Sequence, residues 1–138
     1  MVRTPRATLA LLGAFAVFGP ASLLAGCGEP DPVTDRDGTL RLTLGEYTIR
    51  PQNLKTRAGR IRIVARNEGK LAHDVVVEEL VDGEGAQPRV YGRTAVAAPG
   101  ATVREREPIF LRPGRYRILC DIANHDNLGQ YGTLEVTR

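Results

Sequence analysis

The sequence predicts an all-β fold, a two-sheet antiparallel β-sandwich with Greek-key connections. Three observations point to it. Apolar residues recur with a period of two from about residue 38, turn signals recur at intervals of roughly 8–15 residues, and no segment has a convincing helical period. The 138 residues leave room for one domain. About 100 of them fall in the alternating region, enough for seven or eight short strands.

The strands follow in order. Leu40, Leu42 and Leu44 alternate with Arg41 and Thr43; Ile61 and Ile63 alternate with Arg60 and Arg62. Val75 and Val77 flank Val76 before the chain turns acidic at Glu78 and Glu79. Tyr116, Ile118 and Cys120 alternate with Arg115, Arg117 and Leu119, and Leu134 and Val136 with Thr133, Glu135 and Thr137. Between these runs lie Arg50-Pro51, Ala58-Gly59, Asn67-Glu68-Gly69, Asp82-Gly83, Pro99-Gly100 and Pro113-Gly114. Pro presets the first turn angle and Gly accepts the positive one. Ala86 to Ala98 reads as a loop or an irregular strand. There is no Trp and only 5% aromatic residues, so Val, Leu and Ile must fill the core. A domain of this size buries roughly two-thirds of its unfolded surface and needs no staple.

Composition removes several classes. With 42% apolar residues and only 15 Gly and 9 Pro, the chain is not low-complexity or disordered. Two cysteines exclude a disulfide-dense scaffold and a four-thiolate metal site. The net charge of +3 includes Arg3 and Arg6; without residues 1–26 there are 17 bases against 16 acids. The remaining arginines are interleaved with apolar residues or sit beside acids, as at Arg104, Glu105, Arg106 and Glu107. They read as solvated strand faces, and no nucleic-acid partner is expected.

Residues 1–26 have the order of a secretory signal: Arg3 and Arg6, an apolar run from Ala7 to Leu24, then small residues. The ending Leu24-Ala25-Gly26-Cys27 resembles the bacterial lipobox, which implies lipidation of Cys27 and a protein anchored on the outer side of a bacterial membrane. A plain secreted protein cut nearby and an uncleaved span are the alternatives; Gly19-Pro20 inside the run argues against the span. Residues 27–37, acidic and rich in Pro and Gly, read as a flexible tether, and 38–138 as the folded domain. With Cys27 lipidated, Cys120 is a lone thiol outside the cytoplasm, either buried and inert or chemically employed.

The end of the chain carries the chemistry. Cys120 ends a strand, His125 follows five residues later, Gln130 five later again, and a new strand starts at once. The other histidine, His73, opens the strand Asp74-Val-Val-Val, and a sandwich can bring that end beside the 120–130 loop. Two imidazoles, one thiolate and a weak fourth ligand are the donor set of a blue-copper electron-transfer site. Thiolate and imidazole suit both Cu(I) and Cu(II), and a rigid scaffold keeps geometry constant when the charge changes. An axial amide oxygen, harder than a thioether, favours Cu(II) and lowers the reduction potential.

On these residues the chain resembles the cupredoxins. The features are Asn67-Glu-Gly before His73, Leu111-Arg-Pro-Gly-Arg-Tyr116 leading to Cys120, the Cys-x4-His-x4-Gln spacing, and Tyr131-Gly-Thr-Leu-Glu-Val at the close. The resemblance covers about residues 38–138 and implies one copper ion held by His73, Cys120 and His125 with Gln130 axial. Gln stands where plastocyanin-like domains usually have Met, as in the stellacyanin arrangement. Ala123-Asn124 replaces the Pro-Gly of many relatives; Asn is the better of the two residues for a left-handed backbone. Asp74 stands where plastocyanins place an Asn that ties the two ligand loops; Asp can accept a backbone N–H bond but adds charge near the metal.

The resemblance further implies a monomeric electron carrier, with His125, Leu128 and Gly129 as its electron port and a c-type cytochrome or membrane oxidase as partner. The rival is a cupredoxin-like module that stores, senses or delivers copper. An enzyme is not expected. Cys120 with His125 as a nucleophile pair, or a Cys/His₂ zinc site, would each need a substrate cleft for which no further motif speaks.

Overall fold

The computed structural model describes residues 31–81 and 87–138. The period-two runs form strands, and several two- to four-residue strands bring the number to eleven among the described residues. They are β1 (Val33–Thr34), β2 (Thr39–Gly45), β3 (Thr48–Arg50), β4 (Asn53–Arg57), β5 (Gly59–Asn67), β6 (Val76–Glu79), β7 (Val90–Arg93), β8 (Thr102–Arg104), β9 (Ile109–Leu111), β10 (Gly114–Leu119) and β11 (Tyr131–Thr137). β1 lies inside the segment that composition assigned to a tether. The ambiguous stretch before Pro99 contains β7 and isolated bridges at Thr94 and His73–Ala97.

One sheet has six strands in the order β1-β4-β11-β10-β6-β7, and the other runs β3-β2-β5-β8 with β9 also on β5. The sheets are mixed, which corrects the purely antiparallel expectation. β1 and β11 pair parallel with β4, and β2 pairs parallel with β5. The reason is the crossing of the chain between sheets: after the β2–β3 hairpin it passes to β4 in the other sheet, then returns as β5 alongside β2. Alternation of side chains shows which face is buried but carries no information on strand direction.

The core lies between the sheets. Leu40, Leu42 and Leu44 of β2 and Ile61, Ile63 and Ala65 of β5 meet Val77, Ile118, Leu134 and Val136 from the other sheet. Tyr116 supplies the large ring that the absence of Trp leaves wanting. It packs edge-on against Tyr91 at 5.2 Å, and its hydroxyl donates to the Arg112 carbonyl at 2.9 Å. Val76 and Leu119, neighbours across β6 and β10 on the opposite face, are also buried.

The start of β6, the end of β10 and the start of β11 lie side by side, because Leu119 pairs with both Val76 and Tyr131. This register puts the residues just beyond those ends at one pole of the sandwich. Packing there is tight. A Cβ on Gly132, opposite Ile118, would stand 2.2 Å from the Gln52 carbonyl oxygen. Backbone must shift to admit it, so Gly132→Ala should cost about 1–3 kcal/mol. Urea denaturation checks this: the midpoint falls, and an unchanged midpoint contradicts the packing described.

Candidate metal centre

The loop from Cys120 to Gln130 is stapled to itself. The Cys120 N–H donates to the Gln130 carbonyl at 3.1 Å, the Asp126 N–H to the Cys120 carbonyl at 3.1 Å, and the Gln130 N–H to the His125 carbonyl at 3.0 Å. Two short 3₁₀ turns, Ile122–Asn124 and Asp126–Leu128, fill the interval. Asn124 adopts the left-handed conformation at φ 59°, as its side chain allows, but so does Ala123 at φ 50°. For Ala this conformation costs roughly 1–2 kcal/mol, which the closed loop must hold.

His73 arrives on a second loop. Its N–H and carbonyl bond to Ala97 at 3.1 and 2.7 Å. The fully buried Asn67 side chain organises the residues before it: Nδ2 donates to the Leu71 carbonyl at 2.8 Å and to the Ala97 carbonyl at 2.9 Å, while Oδ1 accepts from the Gly69 N–H at 2.9 Å. Glu46 closes the outside of this loop, accepting from the Lys70 and Leu71 N–H groups. The Lys70 N–H lowers the Glu46 pKa most. A Cβ on Gly69 would stand 2.6 Å from the Glu46 carboxylate, so a larger residue there makes that side chain shift.

Folding gathers His73, Cys120 and His125 into one buried group whose nitrogen and sulfur atoms lie within 4.8 Å of one another. Cys120 Sγ faces His125 Nδ1 at 3.6 Å and His73 Nδ1 at 3.9 Å, although His73 is 47 residues away in sequence. The Asp74 N–H also points at the sulfur, at 3.5 Å. Burial pushes the Cys120 thiol up to about 11. Burial, then the neighbouring His125, lowers the His73 pKa, which keeps that imidazole neutral and able to donate a lone pair.

Gln130 is fully buried beside them. Its Nε2 donates to the carbonyls of Gly45 at 2.9 Å and Thr48 at 3.2 Å, which fixes the amide, and its Oε1 has no hydrogen-bond partner among the described residues. The β2–β3 turn thus touches two of the four sequence-selected residues and braces the loop of a third. Gly45 and Thr48 hold Gln130, Glu46 braces the loop before His73, and Tyr47 packs edge-on against the His125 ring at 5.3 Å. Tyr47 sits at φ 57°, a rare conformation for a bulky residue. Sequence reading missed this turn. The short interval between Leu44 and Ile49 marks a hairpin, but nothing in it says where the hairpin points.

A second tie runs through Asp74. Asp74 Oδ1 accepts from the Asp121 N–H at 3.3 Å, so the Asp does join the two ligand loops. Arg93 of β7 grips Asp121 at 2.9 Å and reaches Asp74 at 3.8 Å, beyond hydrogen-bond length. Burial, then the Asp121 carboxylate, raises the Asp74 pKa. Of the remaining sequence-selected residues, Leu128 is 57% exposed, Gly129 is half-buried at φ 109°, and Cys27 lies outside the described residues.

A β-sandwich with a buried Cys/His₂ group at one pole is the cupredoxin architecture, and solved structures share it. Auracyanin from the photosynthetic bacterium Roseiflexus castenholzii superposes with a TM-score of 0.64 at 16% identity, over 75% of this chain and 100% of that one. Auracyanin A, described as a "blue" copper protein from the green thermophilic photosynthetic bacterium Chloroflexus aurantiacus, gives 0.60 at 18% identity over 78% and 100%. Auracyanin B gives 0.61 at 17% over 80% and 94%. No protein-family model and no curated protein sequence matches the chain. The neighbours establish the fold.

Asn67 is the residue on which the His73 loop most depends. Asn67→Ala removes three hydrogen bonds, two of them buried, and takes their partner from the Leu71 carbonyl and the Gly69 N–H, at a cost of about 2–4 kcal/mol. Chemical denaturation of the metal-free protein measures it, and a loss below about 0.5 kcal/mol contradicts this role.

Proposed function

We propose that the chain is a type 1 copper protein that passes single electrons at the outer face of a bacterial membrane. The observation that carries this is the convergence of Cys120 Sγ, His73 Nδ1 and His125 Nδ1 in a buried pocket beside a fixed amide oxygen with no hydrogen-bond partner among the described residues. The donor set fits copper in both oxidation states: one soft thiolate, two imidazoles and one weak oxygen. His73, Cys120 and His125 would hold the ion, and Gln130 Oε1 would supply the weak fourth donor. A bound copper ion supplies one-electron oxidation and reduction there.

The protein's part is to keep the donors still. Asn67 and Glu46 brace the loop of His73, the closed loop braces Cys120 and His125, and two carbonyls brace Gln130. Donors that do not move when the charge changes lower the barrier to electron transfer. This favours a carrier over a module that stores, senses or delivers copper, which must open to release its cargo. Burial of Cys120, with its thiol raised to about 11, also speaks against an activated nucleophile.

Tyr47 packs against the His125 ring, the exposed Leu128 follows on the same loop, and with Gly129 these form the electron port. A c-type cytochrome or membrane oxidase would dock there over a small, transient interface. Lipid on Cys27 would hold the protein at the membrane.

The test is to add Cu(II) to the purified protein and record visible absorption and electron spin resonance. A strong thiolate-to-copper band should form, and Cys120→Ser and His73→Ala should abolish it. Retention of the band in His73→Ala removes His73 from the site. Gln130→Met should keep the band and raise the reduction potential; an unchanged potential removes Gln130 from the axial position. Slow release of copper to a chelator alongside fast reversible redox cycling identifies a carrier, and the opposite pattern a copper-handling module.

Metal uptake must also displace the Cys120 proton at neutral pH. Apparent copper affinity should therefore climb about tenfold per pH unit below the thiol pKa, measured by competition titration between pH 6 and 8.

A further inference from the structure

The two sheets carry their charges differently. On the outer face of the six-stranded sheet, bases meet acids: Lys55 pairs with Glu135 at 2.9 Å, Arg117 with Glu78 at 3.5 Å, and Arg93 at its edge with Asp121 at 2.9 Å. The strands of the other sheet contain no Asp or Glu. Its register puts six exposed arginines on one outer face: Arg41 of β2, Arg50 of β3, Arg60, Arg62 and Arg66 of β5, and Arg104 of β8. Only Arg41 and Arg66 have carboxylate partners, in Asp35, Asp37 and Glu68; Arg50, Arg60, Arg62 and Arg104 have none among the described residues. Phe110, 65% exposed, lies beside Arg60 on the same face. These arginines, scattered through 64 residues of sequence and read there as solvated strand faces, form a predominantly basic surface only once β2, β3, β5 and β8 are aligned; Glu105, whose carboxylate accepts from the Ile63 N–H at 2.8 Å, is an acid beside it.

We propose that this arginine face lies on an anionic phospholipid surface. Charge complementarity is the first argument: each basic side chain near such a surface contributes about fivefold to partitioning. The second is where the chain enters the domain. Asp35 and Asp37 bond to Arg41, and Arg62 reaches the Asp37 carbonyl at 3.5 Å, so the N-terminal segment meets the domain at the border of this face. Cys27 stands only four residues before Asp31, a reach of about 14 Å at full extension. Asp31 and Pro32, just before that border, lie beside Arg115, Thr133 and Glu135 of the six-stranded sheet, so a lipid-bearing Cys27 would hold the edge between the two faces at the bilayer. The choice of occupant rests on that reading; the electrostatic face does not. The geometry has a consequence for the electron port. β2 and β5 run parallel toward the pole that holds His125, so a domain resting on this sheet directs the port along the membrane plane, toward a partner embedded in the same bilayer.

The test uses residues 27–138 with Cys27→Ser, which removes any lipid. This part contains every described strand and the whole core cluster, and the auracyanin chains it covers almost end to end fold at this size. Sedimentation with vesicles of phosphatidylcholine alone, or mixed with phosphatidylglycerol, is measured at low and at 0.5 M salt. Binding is expected only to the mixed vesicles and only at low salt. The variant Arg50→Ser, Arg60→Ser, Arg104→Ser should lower the partition coefficient at least tenfold with its copper absorption unchanged. Equal binding to both vesicles, or no loss in the triple variant, overturns the proposal. So does retention on duplex DNA, an acidic protein or a second copy of the chain at physiological salt without vesicle binding, which assigns the face to that occupant. Mass measurement of the full chain from membranes reads lipid on Cys27 separately, so failure of the face and failure of the anchor are distinguishable.

Discussion

Everything at the pole of the sandwich depends on holding two loops, 47 residues apart in sequence, so that a sulfur and two imidazole nitrogens stand within 4.8 Å. Three polar groups joined only by two long sulfur contacts, at 3.6 and 3.9 Å, are unfavourable in a dry interior. Here the cost is carried by backbone bonds that leave the donors no alternative position. The loop of His73 closes on Asn67 and Ala97, and the loop of His125 closes on Cys120 and Gln130. Buried amides do this better than apolar side chains would, because each bond specifies one direction as well as one distance.

The β2–β3 turn shows the same logic from outside the ligand loops. Two carbonyls orient the Gln130 amide, a carboxylate caps the segment before His73, and a ring lies against His125. A Tyr in the left-handed region belongs to the small class of strained residues that persist only where the surroundings over-determine them. Strain at Tyr47 and Ala123, on either side of His125, is thus the local cost of a site whose parts must not relax.

The two faces of the sandwich divide the remaining work. On the six-stranded side, Arg93 and Arg117 are engaged with acids near the ligand loops, where unbalanced charge would disturb the site. On the other side arginines accumulate without acids in the strands, away from the thiolate. A pI near 9.2 describes neither face, since one is internally compensated and the other is not.

Period-two alternation located the core residues of β2, β5, β10 and β11 because burial of one face is a local consequence of pleating. Cys120, His125 and Gln130 were readable too, since one short loop brings them together whatever the rest of the fold does. His73 was readable as the other histidine, at a strand end that a sandwich can bring beside that loop, but the turn at Glu46 and Tyr47 and the brace at Arg93 were not readable at all. Strand direction, the meeting of β6 with β10, and the alignment of six arginines arise from crossings between sheets. By itself the sequence determined which residues face inward and which types of donor exist. Tertiary structure alone decided which of them meet, because pairing between distant strands is set by the whole packing and leaves no mark in any local stretch.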